Sequence, residues 1–372
     1  MTVLTNARIV LPDAAIAGSL RFDNDIITEI GTVATGEDLG GDFLIPGIID
    51  LHTDNLERQV LPRSNARWPS RSAFLSHDAQ CAAAGITTVF DALCIGDIGF
   101  EKHRLQTFED GVRDLNVLAR AGVLKAEHFL HLRCELPAPE MPEMLGGVIN
   151  NPFVRLVSLM DHSPGGGQYA NVETYRRMRV KEGFSDPEIS EMITVLQNAQ
   201  ETHYAPNRRF VIETVKRTGI PIASHDDLTE AEIARNHAEG ITIAEFPVTM
   251  EAAVAARAHG GKTIAGAPNI VRGGSHSGNV AVLDLIRAGV LDALASDYVP
   301  AAMLEAAFIC ARGGVLSLPA AIALVTSGPA DIVGLADRGR IAVGLAADLL
   351  QVRLHDGLPV IRAVWRRGIR IA

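Results

Sequence analysis

Eight short apolar runs, each followed by a helix-like segment, constrain this chain more than anything else in it. They lie at residues 44–54, 85–92, 128–136, 153–161, 220–225, 242–247, 262–267 and 291–296. Several are β-branched, and a continuous apolar run of that length reads as a strand covered on both faces in a parallel sheet. Between them lie Ala- and Leu-rich segments with helical spacing, such as 104–122 and 279–289. Strand and helix alternating eight times predict an α/β fold, a closed (β/α)8 TIM-like barrel. A doubly wound open sheet would alternate in the same way. No G-x-G-x-x-G follows the first run, which disfavours a dinucleotide fold.

The two chain ends have a different texture. Residues 3–10 and 18–30 are short β-like runs with a turn at Asp23-Asn24-Asp25, and residues 348–352, 363–365 and 368–371 resemble them. At 372 residues the chain exceeds the usual size of a single core. The expected division is a small β-sandwich domain from residues 1–45 and 340–372, and a barrel from 46–339 with a helical insertion at about 164–210.

Barrel enzymes place their chemistry at the C-terminal ends of the strands. The first run ends in His52-Thr53-Asp54-Asn55, with His52 and Asp54 on the same side of a strand. The third ends at Glu135, the fourth at Asp161-His162, the fifth at His225-Asp226-Asp227 and the eighth at Asp297-Tyr298. Any one of these histidines reads as a hydrogen-bonded residue. Together they point to a divalent metal, for which neutral imidazole and carboxylate are suitable donors.

After the seventh run, Arg272 precedes Gly273-Gly274-Ser275-His276-Ser277-Gly278-Asn279. Backbone N–H groups in such a loop can hold an anion, and arginine favours phosphate; the alternative is a plain turn. The Lys-Ser/Thr ending of a Walker loop is absent. The insertion carries Arg176, Arg177, Arg179, Lys181, Arg208 and Arg209, and Ser185-Asp186-Pro187-Glu188 predicts a capped helix start. It reads as either a lid over the catalytic mouth or a solvated helix with ordinary surface charge.

The net charge of -10 argues against a nucleic-acid or anionic-membrane surface, while a metal and a few arginines can still make a local site for an anionic small molecule. No apolar run reaches the roughly 18 residues of a membrane span. The opening Met1–Asn6 lacks signal-peptide features, and Cys81, Cys94, Cys134 and Cys310 form no framework spacing. The expectation is a cytoplasmic protein with reduced thiols, and a homo-oligomer, the commonest state of soluble enzymes.

Pro46-Gly47-Ile48-Ile49-Asp50-Leu51-His52 and the segment from Gly339-Arg340-Ile341-Ala342-Val343-Gly344 to Asp348-Leu349-Leu350 resemble the opening and closing segments of the amidohydrolase superfamily. Its usual opening is His-x-His, where this chain has His52-Thr53-Asp54. Nearly the whole chain resembles one branch, the PhnM family of the bacterial carbon–phosphorus lyase pathway. The motifs are His52–Glu57, Ser76–Ala79, Gly85–Val89, His131–Leu136, Leu159–Gly165, Ala223–Asp227, Ala244–Pro247, Ser296–Tyr298 and above all Gly266–Asn279. The resemblance implies hydrolysis of α-D-ribose 1-methylphosphonate 5-triphosphate to the 5-phosphate and pyrophosphate. On that basis His52, Asp54, Glu135, His162 and His225 are the expected ligands of one or two divalent ions, zinc first and manganese or iron next, with Glu135 as a bridge. Asp297 is the expected general base. Arg272, Gly273, Gly274, Ser275, His276 and Asn279 are the expected phosphate contacts. His131 falls beside the ligands, as a support or as packed core. Two other readings share these residues: hydrolysis of a C–N bond in a small anionic substrate by a deacetylase or deaminase, and a binding protein that kept the fold without the activity.

Overall fold

The structure, a computed structural model, describes residues 1–32, 35–63, 66–99, 103–275 and 278–372. The chain begins in a sheet where polar and apolar residues alternate. β1 (Thr2–Val10) pairs antiparallel with β2 (Ala15–Asp23), which turns back into β3 (Ile26–Gly31). The turn holds Asn24 in the left-handed conformation (φ 54°), which asparagine tolerates well. β4 (Glu37–Asp38) and β5 (Phe43–Pro46) run parallel to β1 along its other edge.

The barrel strands follow in sequence order: β6 (Ile48–Thr53), β7 (Ile86–Ile95), β8 (Glu127–Glu135), β9 (Val154–Met160), β10 (Ile222–His225), β11 (Ile243–Glu245), β12 (Lys262–Gly266) and β13 (Ala293–Ala295). Each pairs parallel with the next, so all eight expected strands are present. The barrel is nearly closed. At its C-terminal end, Asp54 N–H donates to the Asp297 carbonyl (2.7 Å) and Asp297 N–H to the His52 carbonyl (3.0 Å). At the opposite end the 324–325 segment lies between β13 and β6 and accepts from Leu294 (2.8 Å) and Ile49 (3.0 Å). The direct β13–β6 contact is therefore confined to the end that carries the candidate site.

β14 (Leu349–His355), β15 (Leu358–Arg366) and β16 (Ile369–Arg370) return to the first sheet, where β14 pairs antiparallel with β5. Both chain ends thus share one sheet, in the order β16-β15-β14-β5-β1-β2-β3. It is continuous, and it curls over a common core of Leu20, Phe22 and Ile27 with Ile341, Leu349 and Trp365. Its other face docks on the barrel at Gly85 (φ 83°), where an added Cβ would lie 2.1 Å from Leu350. Among the described residues no helix is long and apolar enough to cross a membrane.

The insertion contains helices Val172–Lys181 and Asp186–Lys216, the second opened by the Ser185/Glu188 capping box. Three of its arginines find partners within the insertion. Arg176 reaches Ser190 (3.3 Å), Arg177 reaches Glu173 and Thr174 (3.3 Å each), and buried Arg179 holds Tyr175 (3.1 Å) and Glu182 (2.9 Å).

A polar cluster lies in the barrel wall between helix Ser70–Ala83 and strands β7 and β8. Asp91 accepts from His77 Nε2 (2.6 Å) and His128 Nδ1 (2.9 Å), and His128 Nε2 donates to Asp78 (3.1 Å). With a carboxylate at each nitrogen, His128 donates from both and is an imidazolium. Burial alone would discharge it, but the Asp91 and Asp78 carboxylates outweigh burial and lift it from 6.5 to about 9. The folded state therefore holds this proton more tightly than the unfolded chain does. Its stabilisation is complete below 6.5 and disappears as pH rises through about 9. Near pH 6, His128→Gln should cost on the order of 3–5 kcal/mol, the penalty for breaking a buried ion pair. The gap in melting temperature between wild type and variant should narrow toward pH 10; a gap that stays constant with pH would show that His128 carries no such charge.

Candidate active site

The C-terminal ends of the barrel strands deliver six functional groups to one mouth. β6 supplies His52 with Asp54 just beyond it, β8 supplies Glu135, and His162 follows β9. His225 closes β10, and Asp297 lies two residues past β13. The structure brings these expected residues together. It adds Asp226 and Glu245, to which the sequence assigned no ligand role, and Arg133.

Glu245, fully buried at the end of β11, organises two of the histidines. Its Oε1 accepts from His52 Nδ1 (2.9 Å) and its Oε2 from His225 Nδ1 (2.8 Å). Glu135 serves the third: Oε2 accepts from His162 Nδ1 (2.6 Å) and Oε1 from the His162 backbone N–H (2.9 Å). A carboxylate at Nδ1 fixes the proton there and leaves Nε2 as a lone-pair donor. Around those Nε2 atoms stand carboxylates, with Asp54 3.5 Å from His52 Nε2 and Asp226 3.7 Å from His225 Nε2. Of the four sets among the described residues whose ligand atoms lie close enough to share an ion, two lie on this Nε2 side: His52, Asp54 and Asp297, and His162, His225 and Asp226. Both oxygens of Glu135, the expected bridge, face His162.

The electrostatics ask for a cation. Burial would push the His52 imidazole down, yet the Glu245 and Asp54 carboxylates lift it to about 10: they call for a positive charge at its Nε2, a proton or a metal in the proton's place. Asp54 is also opposed by burial, but Arg133 at 2.8 Å, followed by His52, holds it well below the usual carboxylate range. Burial and then the Asp54 charge hold Asp297 up, at about 6. His131 is packed beneath His52, bonded to the Leu51 carbonyl (3.0 Å) and to Ser158 (2.9 Å), and burial pushes it down to about 3. It is a neutral support. Imidazole nitrogens backed by carboxylates and facing further carboxylates suit a divalent metal ion, so the residues fit a metal.

Backbone strain aims some of these groups. Asp226, Phe246 and Asp297 follow β10, β11 and β13 in the left-handed conformation (φ 56°, 53° and 56°). Such a conformation is uncommon for non-glycine residues, least so for aspartate, and clusters at functional sites.

The cluster opens into a cavity of about 300 Å3 whose far wall carries Asn269, Arg272, Gly274, Ser275 and Asn279. Gly273 does not line it, and His276 lies outside the described residues. The glycine loop differs from the expected cradle. A short helix, Ala267–Arg272, intervenes after β12, and Gly273 (φ 79°) ends it. The Gly273 and Gly274 N–H groups therefore cap the carbonyls of Ile270 (3.1 Å) and Asn269 (2.8 Å), and Asn279 N–H donates to Ser275 Oγ (3.1 Å). Among the described residues of the loop, Arg272 is the cationic side chain that faces the cavity. None of Arg176, Arg177 and Arg179 lines this cavity.

A family model described as the amidohydrolase family matches residues 186–353. Over 376 residues, 99% of this chain and 100% of the other, the chain is 42% identical to an alpha-D-ribose 1-methylphosphonate 5-triphosphate diphosphatase of Escherichia coli (strain K12). Among solved structures, it resembles a dihydropyrimidinase from Brevibacillus agri NCHU1002 (TM-score 0.64, 14% identity, 99% of this chain and 94% of that one). It also resembles an N-acetylglucosamine-6-phosphate deacetylase from Pasteurella multocida (TM-score 0.61, 15% identity, 99% of each). At such identities these two share its fold.

Proposed function

The chain belongs to the family of the alpha-D-ribose 1-methylphosphonate 5-triphosphate diphosphatases, within the amidohydrolases, and we propose that it hydrolyses that triphosphate to the 5-phosphate and pyrophosphate during phosphonate use. The observation that carries the reading is one cavity with a cation-seeking cluster at its floor and Arg272 on its far wall.

His52, Asp54, His162 and His225, with Asp226, are the groups that would hold one or two divalent ions, zinc first, manganese or iron next, with Asp297 beside them. When bound, such an ion supplies Lewis acidity and a water acidic enough to attack at neutral pH. Glu135 takes a different role from a bridge: like Glu245, it orients an imidazole. Asp297 accepts the proton of the water that attacks the α-phosphorus. As the bond from that phosphorus to the bridging oxygen breaks, the electron pair leaves with pyrophosphate, and Asp297 can return the proton to the departing oxygen. Beside a bound cation its carboxyl would be held in the charged form, ready to accept that proton. Arg133 and Arg272 balance phosphate charge on either side of the scissile bond. The four cysteines are unpaired and buried, which suits the cytoplasm.

Purified enzyme should release one pyrophosphate per triphosphate consumed. A chelator should abolish the release, and added zinc, manganese or iron should restore it. Ammonia or acetate released from small amide substrates, with no pyrophosphate from the triphosphate, would move the chain to C–N bond hydrolysis.

A further inference from the structure

A second cavity, of about 420 Å3, lies on the insertion side of the candidate metal cluster. His225 and Asp226 line both cavities, so the two lie on either side of these cluster residues. A substrate cleaved in its middle needs this shape, with one end on each side of the reacting phosphorus. Which end goes where is set by charge.

Beyond the cluster, the first cavity carries Arg272 and, among the described residues, no carboxylate. The second carries Asp161, Glu201, Asp227 and Glu232 against Arg208 and Arg235. Arg208 is committed to Glu239 (2.9 Å) and Asn236 (2.6 Å), which leaves Arg235, beside the Tyr204 hydroxyl (3.3 Å), as the cation of that wall. A pyrophosphate with several negative charges would be repelled there. The other end of the substrate is a ribose with hydroxyls and a phosphonate ester carrying a single charge. Carboxylates accept hydrogen bonds from sugar hydroxyls, and one guanidinium matches one phosphonate.

The floor of the second cavity is built with little slack. Asp161 accepts from the Gln200 amide and, at 3.0 Å, from the Ser163 N–H, so it is held in place with lone pairs to spare. Gly166 packs so closely that an added Cβ would stand 2.8 Å from the Asp161 Oδ2. Both Asp161 and Gln200 face the cavity.

We propose that this cavity is the sugar subsite: Asp161 and Gln200 hold the ribose hydroxyls, Arg235 holds the methylphosphonate, and pyrophosphate departs on the Arg272 side. The assignment rests on the triphosphate reaction above and adds a direction to it. It also gives the insertion a role in specificity, since Gln200 and Tyr204 come from its long helix.

The test is calorimetric binding of the two products, separately, to metal-loaded wild type and to Gln200→Ala, Arg235→Ala and Arg272→Ala. Arg235→Ala should weaken α-D-ribose 1-methylphosphonate 5-phosphate by about tenfold or more, the scale of a lost charge-assisted hydrogen bond, and leave pyrophosphate within roughly twofold. Ribose 5-phosphate, which lacks the phosphonate, should respond to Gln200→Ala but not to Arg235→Ala. Arg272→Ala should weaken pyrophosphate instead. Equal weakening of both products by one variant, or loss of pyrophosphate in Arg235→Ala, overturns the assignment. A wild type that releases no pyrophosphate from the triphosphate fails the reaction itself, and the subsite falls with it; a wild type that does release it isolates the fault in the subsite.

Discussion

Asp297→Asn should keep its metal and lose turnover by roughly a hundred- to ten-thousand-fold, the usual contribution of a general acid–base group. Asparagine matches aspartate in size and keeps an acceptor oxygen, so the left-handed turn after β13 should form as before. The substitution removes the ability to take a proton. Without a metal, burial and the Asp54 charge hold the Asp297 carboxyl near 6, and His52 and Arg133 pull the other way; a bound cation would lower it and leave a carboxylate able to take the proton. Metal analysis beside pyrophosphate-release kinetics separates the outcomes. Loss of metal with loss of rate would make Asp297 chiefly a ligand, in keeping with its place beside His52 and Asp54. Metal and near-normal turnover together would move the base elsewhere, with Asp226 the next candidate, since it faces the same cluster.

Glu245→Gln should lower metal affinity by about a hundredfold, the upper end of what is seen when a carboxylate behind a metal-binding histidine is lost. The size follows from the two rings it serves. Native Glu245 accepts from Nδ1–H of both His52 and His225, one oxygen to each. Glutamine has one oxygen and one NH2 in those places. The NH2 must donate to one of the two Nδ1 atoms, which moves that ring's proton to Nε2 and removes a lone pair from the metal face. Burial costs favour the neutral glutamine, so the fold should persist while one of three imidazoles is lost as a ligand. Titration of chelator-treated protein with zinc, alongside a thermal melt, checks this. Unchanged affinity in a stable Glu245→Gln would show that the rings do not depend on Glu245 for their tautomer.

Glu245 and Glu135 show where reading along the chain stopped. Both close barrel strands, where barrel chemistry sits, and Glu135 stands out in the sequence on that ground. Its carboxylate was legible as a donor. That both oxygens would be taken by His162, 27 positions later, was not. Glu245 pairs with His52 across 193 positions, and no local pattern around Ala244-Glu245-Phe246 reports such a partner. At the glycine loop, where an anion cradle and a plain turn share the same letters, the short Ala267–Arg272 helix takes up the Gly273 and Gly274 N–H groups as its cap. The arginines of the insertion look alike as letters. Packing ties Arg176, Arg177 and Arg179 to their own surroundings and leaves the long helix to present Gln200 and Tyr204 to the second cavity.

The eight strands, the shared sheet of the chain ends and the strand ends bearing His52, Asp54, Glu135, His162, His225 and Asp297 could all be read from order and periodicity. Burial imposes a repeat on each element separately, and a barrel made of such elements must bring their C-terminal ends together. Which oxygen meets which nitrogen at that mouth is set by side chains far apart in sequence and packed within 3 Å of one another. The roles of Glu135 and Glu245, and the charge difference between the two cavities, emerge only when the barrel closes, because hydrogen bonding and electrostatics depend on distance in space and leave no periodic trace along the chain.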